Sequence, residues 1–228
     1  LGIVLLVFYL CEAKAKPDSL IKNGVLDANN IILDNDITVP LKGDWFFYWD
    51  KWIPPASFVN GIPNNSSFMK VRSKWNNFKD PETGKKVGPF GKATYALRVK
   101  NIMKGRSLSL YIRSLSGSYK LFIVDNRKVR LWESVGAPGT RKDLSISWWK
   151  PTVFDLGKFD SDFTIVIQIS NFHYSKGGMW NVPKLGLTKK IRSDFQWRLM
   201  RDFFIMGIIL IMALYHLVLF SLRTNDRG

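Results

Sequence analysis

From Phe203 to Leu222 the sequence reads Phe-Phe-Ile-Met-Gly-Ile-Ile-Leu-Ile-Met-Ala-Leu-Tyr-His-Leu-Val-Leu-Phe-Ser-Leu, with no formal charge. At a rise of about 1.5 Å per residue, a helix of this length matches the roughly 30 Å hydrocarbon layer of a bilayer. A core helix of a globular domain carries a polar face, and this run has none. It predicts a transmembrane helix over 203–222. Just upstream, over 189–202, Ile191, Phe195 and Leu199 recur every fourth residue among Lys, Arg, Asp and Gln, the pattern of an amphipathic juxtamembrane helix. No proline or glycine separates the two segments, so they are expected to form one rod, with Trp197 at the interfacial level. Such a rod suits mechanical coupling of the preceding chain to the membrane, and it suits a plain stalk equally well.

The other end carries a second apolar signal. Residues 1–15, Leu-Gly-Ile-Val-Leu-Leu-Val-Phe-Tyr-Leu-Cys-Glu-Ala-Lys-Ala, hold about ten apolar residues, too few to span a bilayer but suited to a signal-peptide core. Ala13-Lys14-Ala15 supplies a small-x-small cleavage site, and the charged start of such a signal is expected upstream of Leu1. Cys11 sits in this run, but bulky Tyr9 and Leu10 precede it where a lipoprotein signal requires small residues. Orientation is contested within the sequence itself. Lys189, Lys190, Arg192, Arg198 and Arg201 precede the span and only Arg223 and Arg227 follow, which on a simple positive-inside count places the body in the cytosol. A signal-led domain is translocated largely regardless of its charge, so the body is expected outside the cytoplasm, with 223–228 as the cytoplasmic start.

Between the ends lie residues 16–188, enough for one domain with a full core. The formal charge of the chain is +16, yet Lys70, Arg72, Lys74, Lys85, Lys86 and Lys92 are scattered rather than blocked. That spread reads as a solvated basic surface and argues against nucleic acid as a partner. The one cysteine leaves the body without a disulfide framework or a thiolate metal site. Short runs of alternating or continuous apolar residues, bounded by turn formers, predict strands at Asp44–Trp49, Phe68–Val71, Ala93–Lys100, Ser107–Arg113, Tyr119–Val124, Lys128–Trp132, Thr152–Asp155, Phe163–Ser170 and Val182–Leu185. Phe163–Ser170 is dense in β-branched residues and is expected to be central. Asp80-Pro81-Glu82-Thr83-Gly84, Gly88-Pro89-Phe90-Gly91 and Ala137-Pro138-Gly139 read as turns, and Asp125-Asn126 as a hairpin. The expected class is all-β, a sandwich or jelly roll followed by the C-terminal helix.

An ordered set of short motifs adds a resemblance. Gly43-Asp44-Trp45-Phe46-Phe47-Tyr48-Trp49 is followed by Gly91-Lys92-Ala93-Thr94-Tyr95-Ala96-Leu97, then by Ser170-Asn171-Phe172-His173-Tyr174 with Gly177-Gly178-Met179-Trp180. The apolar run adds Leu214-Tyr215-His216-Leu217. From about Asn23 to Arg227 the chain resembles the N-terminal part of bacterial seven-transmembrane receptors with diverse intracellular signalling modules. The resemblance implies a signal peptide, a periplasmic sensor domain, the first of seven helices, and a cytoplasmic output domain outside this chain. It also implies a galactose-binding-like jelly roll, similar to the non-catalytic sandwich of family 2 glycoside hydrolases. The chain departs from sugar-binding relatives where Val71-Arg72-Ser73-Lys74, rather than Pro-Gly, precedes Trp75-Asn76.

Candidate functional residues follow. Sugars stack on exposed aromatic rings, and Trp75, Trp132, Trp148, Trp149 and Trp180 fall in or beside loops; the alternative is that they plug the ends of the sandwich. Trp45 and Trp49 alternate within a strand and read as core. Asn171 and His173 follow the central strand beside Gly177-Gly178, where they suit either a polar ligand or a self-satisfied turn. A metal site is not expected at His173, which has no second His or Cys in the body. Tyr215 and His216 lie inside the apolar run, where an imidazole serves either a functional or a packing role. No nucleophile elbow, phosphate loop or histidine pair is present, so the chain is not expected to be an enzyme and needs no cofactor. The expected partners are the membrane and a small-molecule ligand, with a sugar as first candidate; a homodimer stays open. The expected role is ligand sensing, and the alternative is a membrane-anchored carbohydrate-binding module of a surface enzyme or scaffold.

Overall fold

The computed structural model describes residues 20–28, 37–102, 104–125 and 128–224. The expected signal segment 1–15 with Cys11, Asn126 of the expected hairpin, and 225–228 lie outside the described residues. Twelve strands and one long helix follow in order: β1 (Ile21–Lys22), β2 (Val25–Asp27), β3 (Thr38–Pro40), β4 (Asp44–Trp49), β5 (Ser67–Lys70), β6 (Gly91–Lys100), β7 (Ser107–Ile112), β8 (Ser118–Asp125), β9 (Lys128–Val135), β10 (Thr152–Lys158), β11 (Phe163–Asn171), β12 (Lys184–Leu187) and α1 (Thr188–Thr224). All nine strands expected from periodicity are present, with ends displaced by three residues or fewer. The short strands β1, β2 and β3 are additional.

The strands form two sheets. The larger has the order β1-β2-β6-β11-β8-β9, with β4 and β5 attached beside β6; the smaller has the order β10-β7-β12-β3. Among the described residues every strand-to-strand pairing is antiparallel except β2 on β6, and a single parallel bridge joins Ile21 to Gly43. At ten residues β6 is long enough to hold two neighbours on one edge, β4 along Ala93–Ala96 and β2 along Arg98–Lys100.

Alternation assigns the faces. Tyr95, Leu97 and Val99 of β6, Leu121 and Ile123 of β8, and Phe163, Ile165, Ile167 and Ile169 of β11 meet Leu108, Leu110 and Ile112 of β7, Phe154 and Leu156 of β10, and Leu185 and Leu187 of β12 in one core between the sheets. The molecule is a β-sandwich with a C-terminal helix. Burying each such aliphatic side chain contributes about 1.5–3 kcal/mol.

β11 is buried along its whole length, as expected of a central strand. The reason lies on the outer face of the larger sheet, where the segment after β4 folds back as a cover. There Val166, Ala96 and Val124 pack with Tyr48 and Phe58. Gln168 Nε2 donates to Ile53 O at 2.9 Å, and Ile53 N donates to Thr94 Oγ1 at 3.0 Å.

The outer face of the smaller sheet is covered differently. The residues of β7 and β10 that point away from the core, Ser109, Tyr111 and Asp155, receive the first turns of α1. Ser109 Oγ lies 2.9 Å from Thr188 Oγ1 and donates to Asp155 Oδ1 at 2.7 Å. The Arg192 guanidinium pairs with both oxygens of Asp155. Phe195 packs on Tyr111 with ring centroids 6.0 Å apart, and the Arg198 guanidinium lies 5.3 Å from the same ring. Gly186 permits this approach, because a Cβ there would sit 3.3 Å from Ile191 Cγ1. Leu187 ends β12 and Thr188 starts α1 with no residue between them. From there α1 runs on as a single helix, as the missing glycine and proline predicted, and the apolar run is uncovered along its length. Among the described residues one helix is thus long and apolar enough to cross a membrane.

Candidate functional site: an aromatic shelf beside a tryptophan corner

The segments that follow β5 and β11 and the turn that precedes β6 converge on one corner of the sandwich, and Trp75 is its centre. It is 0% exposed. Its Nε1 donates to Pro89 O at 2.9 Å, and its ring meets Trp49 edge-on at 5.2 Å. Gly177 passes so close that a Cβ would lie 1.9 Å from Trp75 Nε1. Gly178 turns the chain at φ +94°, a conformation that glycine adopts without strain. Asn76 then ties the two segments together: its Nδ2 donates to Ser175 O at 2.8 Å, and its Oδ1 accepts from Gly177 N at 3.0 Å. Arg72, at φ +79°, holds the entry to the corner by donating its N–H to Met179 O at 3.0 Å. Trp75 is therefore a core residue, and the expectation of an exposed ring is corrected here. Burial seals Tyr95 beneath the corner and pushes its phenol far above the ordinary value, so it fills space as a neutral group.

Asn171 joins this corner to its neighbour. Fully buried, it donates from Nδ2 to Pro89 O at 2.9 Å and to Tyr174 O at 2.8 Å, and it accepts from Tyr174 N at 3.1 Å. These bonds occupy the amide, and the self-satisfied turn is what the structure contains. His173, at the exposed tip of that turn, lies with Nε2 2.8 Å from Ser145 O, tying the turn to the loop before β10.

Beyond Asn171 the character of the surface changes. Trp149 lies 5.2 Å from Tyr174 and 5.6 Å from Trp180, with the rings tilted by about 50°. Trp180 is fixed from below, its Nε1 donating to Ser116 Oγ at 2.7 Å, and Asn181 Nδ2 donates to Ser114 Oγ at 2.7 Å. Trp149 is 48% and Trp148 59% exposed. Three loops, 113–117, 145–151 and 171–181, thus present a shelf of rings bordered by hydroxyl, amide and imidazole groups. Exposed rings of this kind can stack on the apolar face of a pyranose.

The structure brings together Trp149, Trp180 and, through the turn, Asn171 and His173. Trp148 adjoins the shelf by sequence. Trp132 does not join it: on β9 it is half-buried against the core, with the Arg130 guanidinium 5.0 Å from its ring, and no ring contact links it to Trp149 among the described residues. Tyr215 and His216 are exposed on α1, with their rings 5.5 Å apart, remote in sequence from the shelf. Tyr174 and Ser116 are contributors that periodicity did not single out. Tyr174 carried a signal in its place beside His173, whereas Ser116 carried none. Among the described residues no three His, Cys, Asp or Glu side chains gather to hold a metal.

No family profile matches the chain, and no curated protein is significantly similar to it. Solved structures with partial similarity include the β-glucuronidase of Ruminococcus gnavus, at 14% identity and TM-score 0.46 over 65% of this chain and 28% of that one. The β-glucuronidase of Bifidobacterium dentium complexed with coumarin-3-O-glucuronide aligns at 16% identity and TM-score 0.43, over 59% of this chain and 20% of that one. A GH2 β-galacturonidase from Eisenbergiella tayi bound to glycerol gives 16% and 0.43, over 65% and 24%. The chain spans less than a third of the length of each.

Proposed function

We propose that this chain is the periplasmic sensor region and first membrane-spanning helix of a bacterial inner-membrane signalling receptor. It is the seven-transmembrane type whose output domain lies beyond the span. The sandwich acts as a galactose-binding-like jelly roll that takes a small carbohydrate on the shelf of Trp149, Tyr174 and Trp180. The observation that carries this reading is the continuity of α1: its first turns are clamped to the smaller sheet, and the same helix supplies the uncovered apolar run. A ligand biases such a system only by binding its two states unequally, and a helix clamped to the binding domain is an element on which that bias can act.

Two measurements test the proposal. Alkaline phosphatase fused near residue 190 is expected to be active and fused after Gly228 inactive; the reverse pattern overturns the orientation. Reading the gene past Gly228 separates receptor from anchor: six further apolar runs and a signalling domain support the receptor, and a stop codon supports an anchored binding module. For the ligand, retention of the sandwich on glycan arrays is expected to depend on Trp149.

A further inference from the structure

Between α1 and the outer face of the smaller sheet lies a groove of about 810 Å³ that the carbohydrate reading does not use. That is the size of a small-molecule site rather than a packing defect. Its walls are mainly apolar, from Phe195 and Phe204 of α1 and Tyr111 of β7, and its cations are Lys184, Arg198 and Arg201. The one carboxylate in the lining, Asp194, is engaged by Lys190 at 2.9 Å, and Arg201 is engaged by Asp202 at 3.0 Å. Among the described residues no carboxylate lies within ion-pair distance of Lys184 or Arg198. The groove therefore pairs an apolar wall with two cations that lack an anion.

Depth along the helix points to the occupant. Arg198 precedes the apolar run at Phe203 by five residues, about 7.5 Å of rise. The polar layer on each side of a bilayer is about 5–7 Å thick. With α1 inserted, Arg198 sits at the level of the lipid phosphates while Phe204 enters the acyl region. We infer that the groove binds one anionic phospholipid of the surrounding leaflet, its phosphate held by Arg198 and Lys184 and an acyl chain lying along Phe195 and Phe204. Guanidinium and ammonium groups recognise phosphate by charge-assisted hydrogen bonds, and in a zwitterionic lipid the headgroup cation offsets the phosphate charge that would attract them. This inference rests on the reading of α1 as a span.

The test uses the full chain. Flotation with phosphatidylcholine vesicles first reports insertion alone. The chain is then taken from mixed micelles of phosphatidylglycerol and phosphatidylcholine into native mass spectrometry. One phosphatidylglycerol is expected to stay bound with at least tenfold preference. Lys184→Gln with Arg198→Gln is expected to bring the preference below twofold. Thr38→Trp, which fills the groove without touching its charge, is expected to remove the bound lipid, and Lys85→Gln with Lys86→Gln, on a distant turn, is expected to change nothing. A chain that does not float overturns the membrane reading and this inference with it. A chain that floats yet holds the two lipids equally, or whose bound lipid survives Thr38→Trp, overturns the groove alone. A dimer that excludes lipid and dissociates in the Thr38→Trp variant assigns the groove to a second copy and overturns the lipid.

Discussion

Trp75 and Trp149 stand in neighbouring loops of one sandwich and read alike in the sequence, but their surroundings have little in common. Trp75 is enclosed by a glycine that leaves no room for a Cβ, its indole N–H is engaged by a carbonyl, and Trp49 closes over it. Trp149 is held from the side by two rings and leaves about half of its surface to solvent. The first arrangement maximises burial and fixes the path of three segments. The second maintains a presented ring. An aromatic residue in a loop is therefore evidence of function only after its partners are known. Here those partners lie as far away as Gly177.

The comparison can be broken at three points, beginning with the largest effect. Trp75→Ala is expected to cost about 3–5 kcal/mol by emptying the corner, read as a lowered denaturation midpoint in urea; a loss under 1 kcal/mol would mean that the corner is not a unit. Asn171→Ala touches both regions. It removes the side-chain partners of Tyr174 O and Tyr174 N and one of the two donors to Pro89 O, and is expected to cost about 1–3 kcal/mol while also weakening glycan retention. Trp149→Ala separates the regions: about 2 kcal/mol in stability, because only half of the ring is buried, but at least a tenfold loss of glycan retention, about 1.4 kcal/mol. Unchanged retention removes the shelf as the binding surface.

Asp155→Asn is the smallest and serves as a control outside both regions, at about 0–1 kcal/mol for a partly exposed ion pair. Arg192 holds the Asp155 carboxyl below its ordinary value, ahead of the opposing effect of burial. A depressed folded-state value gives stability that is present above the unfolded value near 3.9 and lost as pH falls through the folded one. The difference in melting temperature between wild type and Asp155→Asn is thus expected to be constant from pH 5 to 8 and to shrink below about pH 4. A difference that instead grew with acidification would show that the carboxylate is not stabilised by Arg192.

Much of this architecture was legible beforehand, because alternation is a local signal. Tyr95, Leu97 and Val99 announce an inward face without knowledge of any partner, and the uncharged run from Phe203 announces a helix. The strands that were not legible, β1, β2 and β3, are two or three residues long, too short to alternate, and β2 exists through a parallel pairing with β6. The candidate site was legible as a set of residue types rather than as a place. Trp149, Tyr174 and Trp180 had no local sign that they would meet, and nothing near Trp75 in sequence shows that Gly177 will enclose it. Trp132 likewise takes its half-buried state from Arg130 and the core beneath. Asn171 and His173 read in the sequence as either turn or ligand groups, and the hydrogen bonds of Asn171 resolve that residue as a turn.

The direct passage from Leu187 to Thr188 leaves the joint without slack. A one-residue slip of β12 against β7 would turn Leu185 and Leu187 out of the core, so the register is fixed and α1 leaves the sandwich at a set azimuth. Motion of the smaller sheet as a body would carry the shaft with it, the behaviour of a lever rather than a hinge.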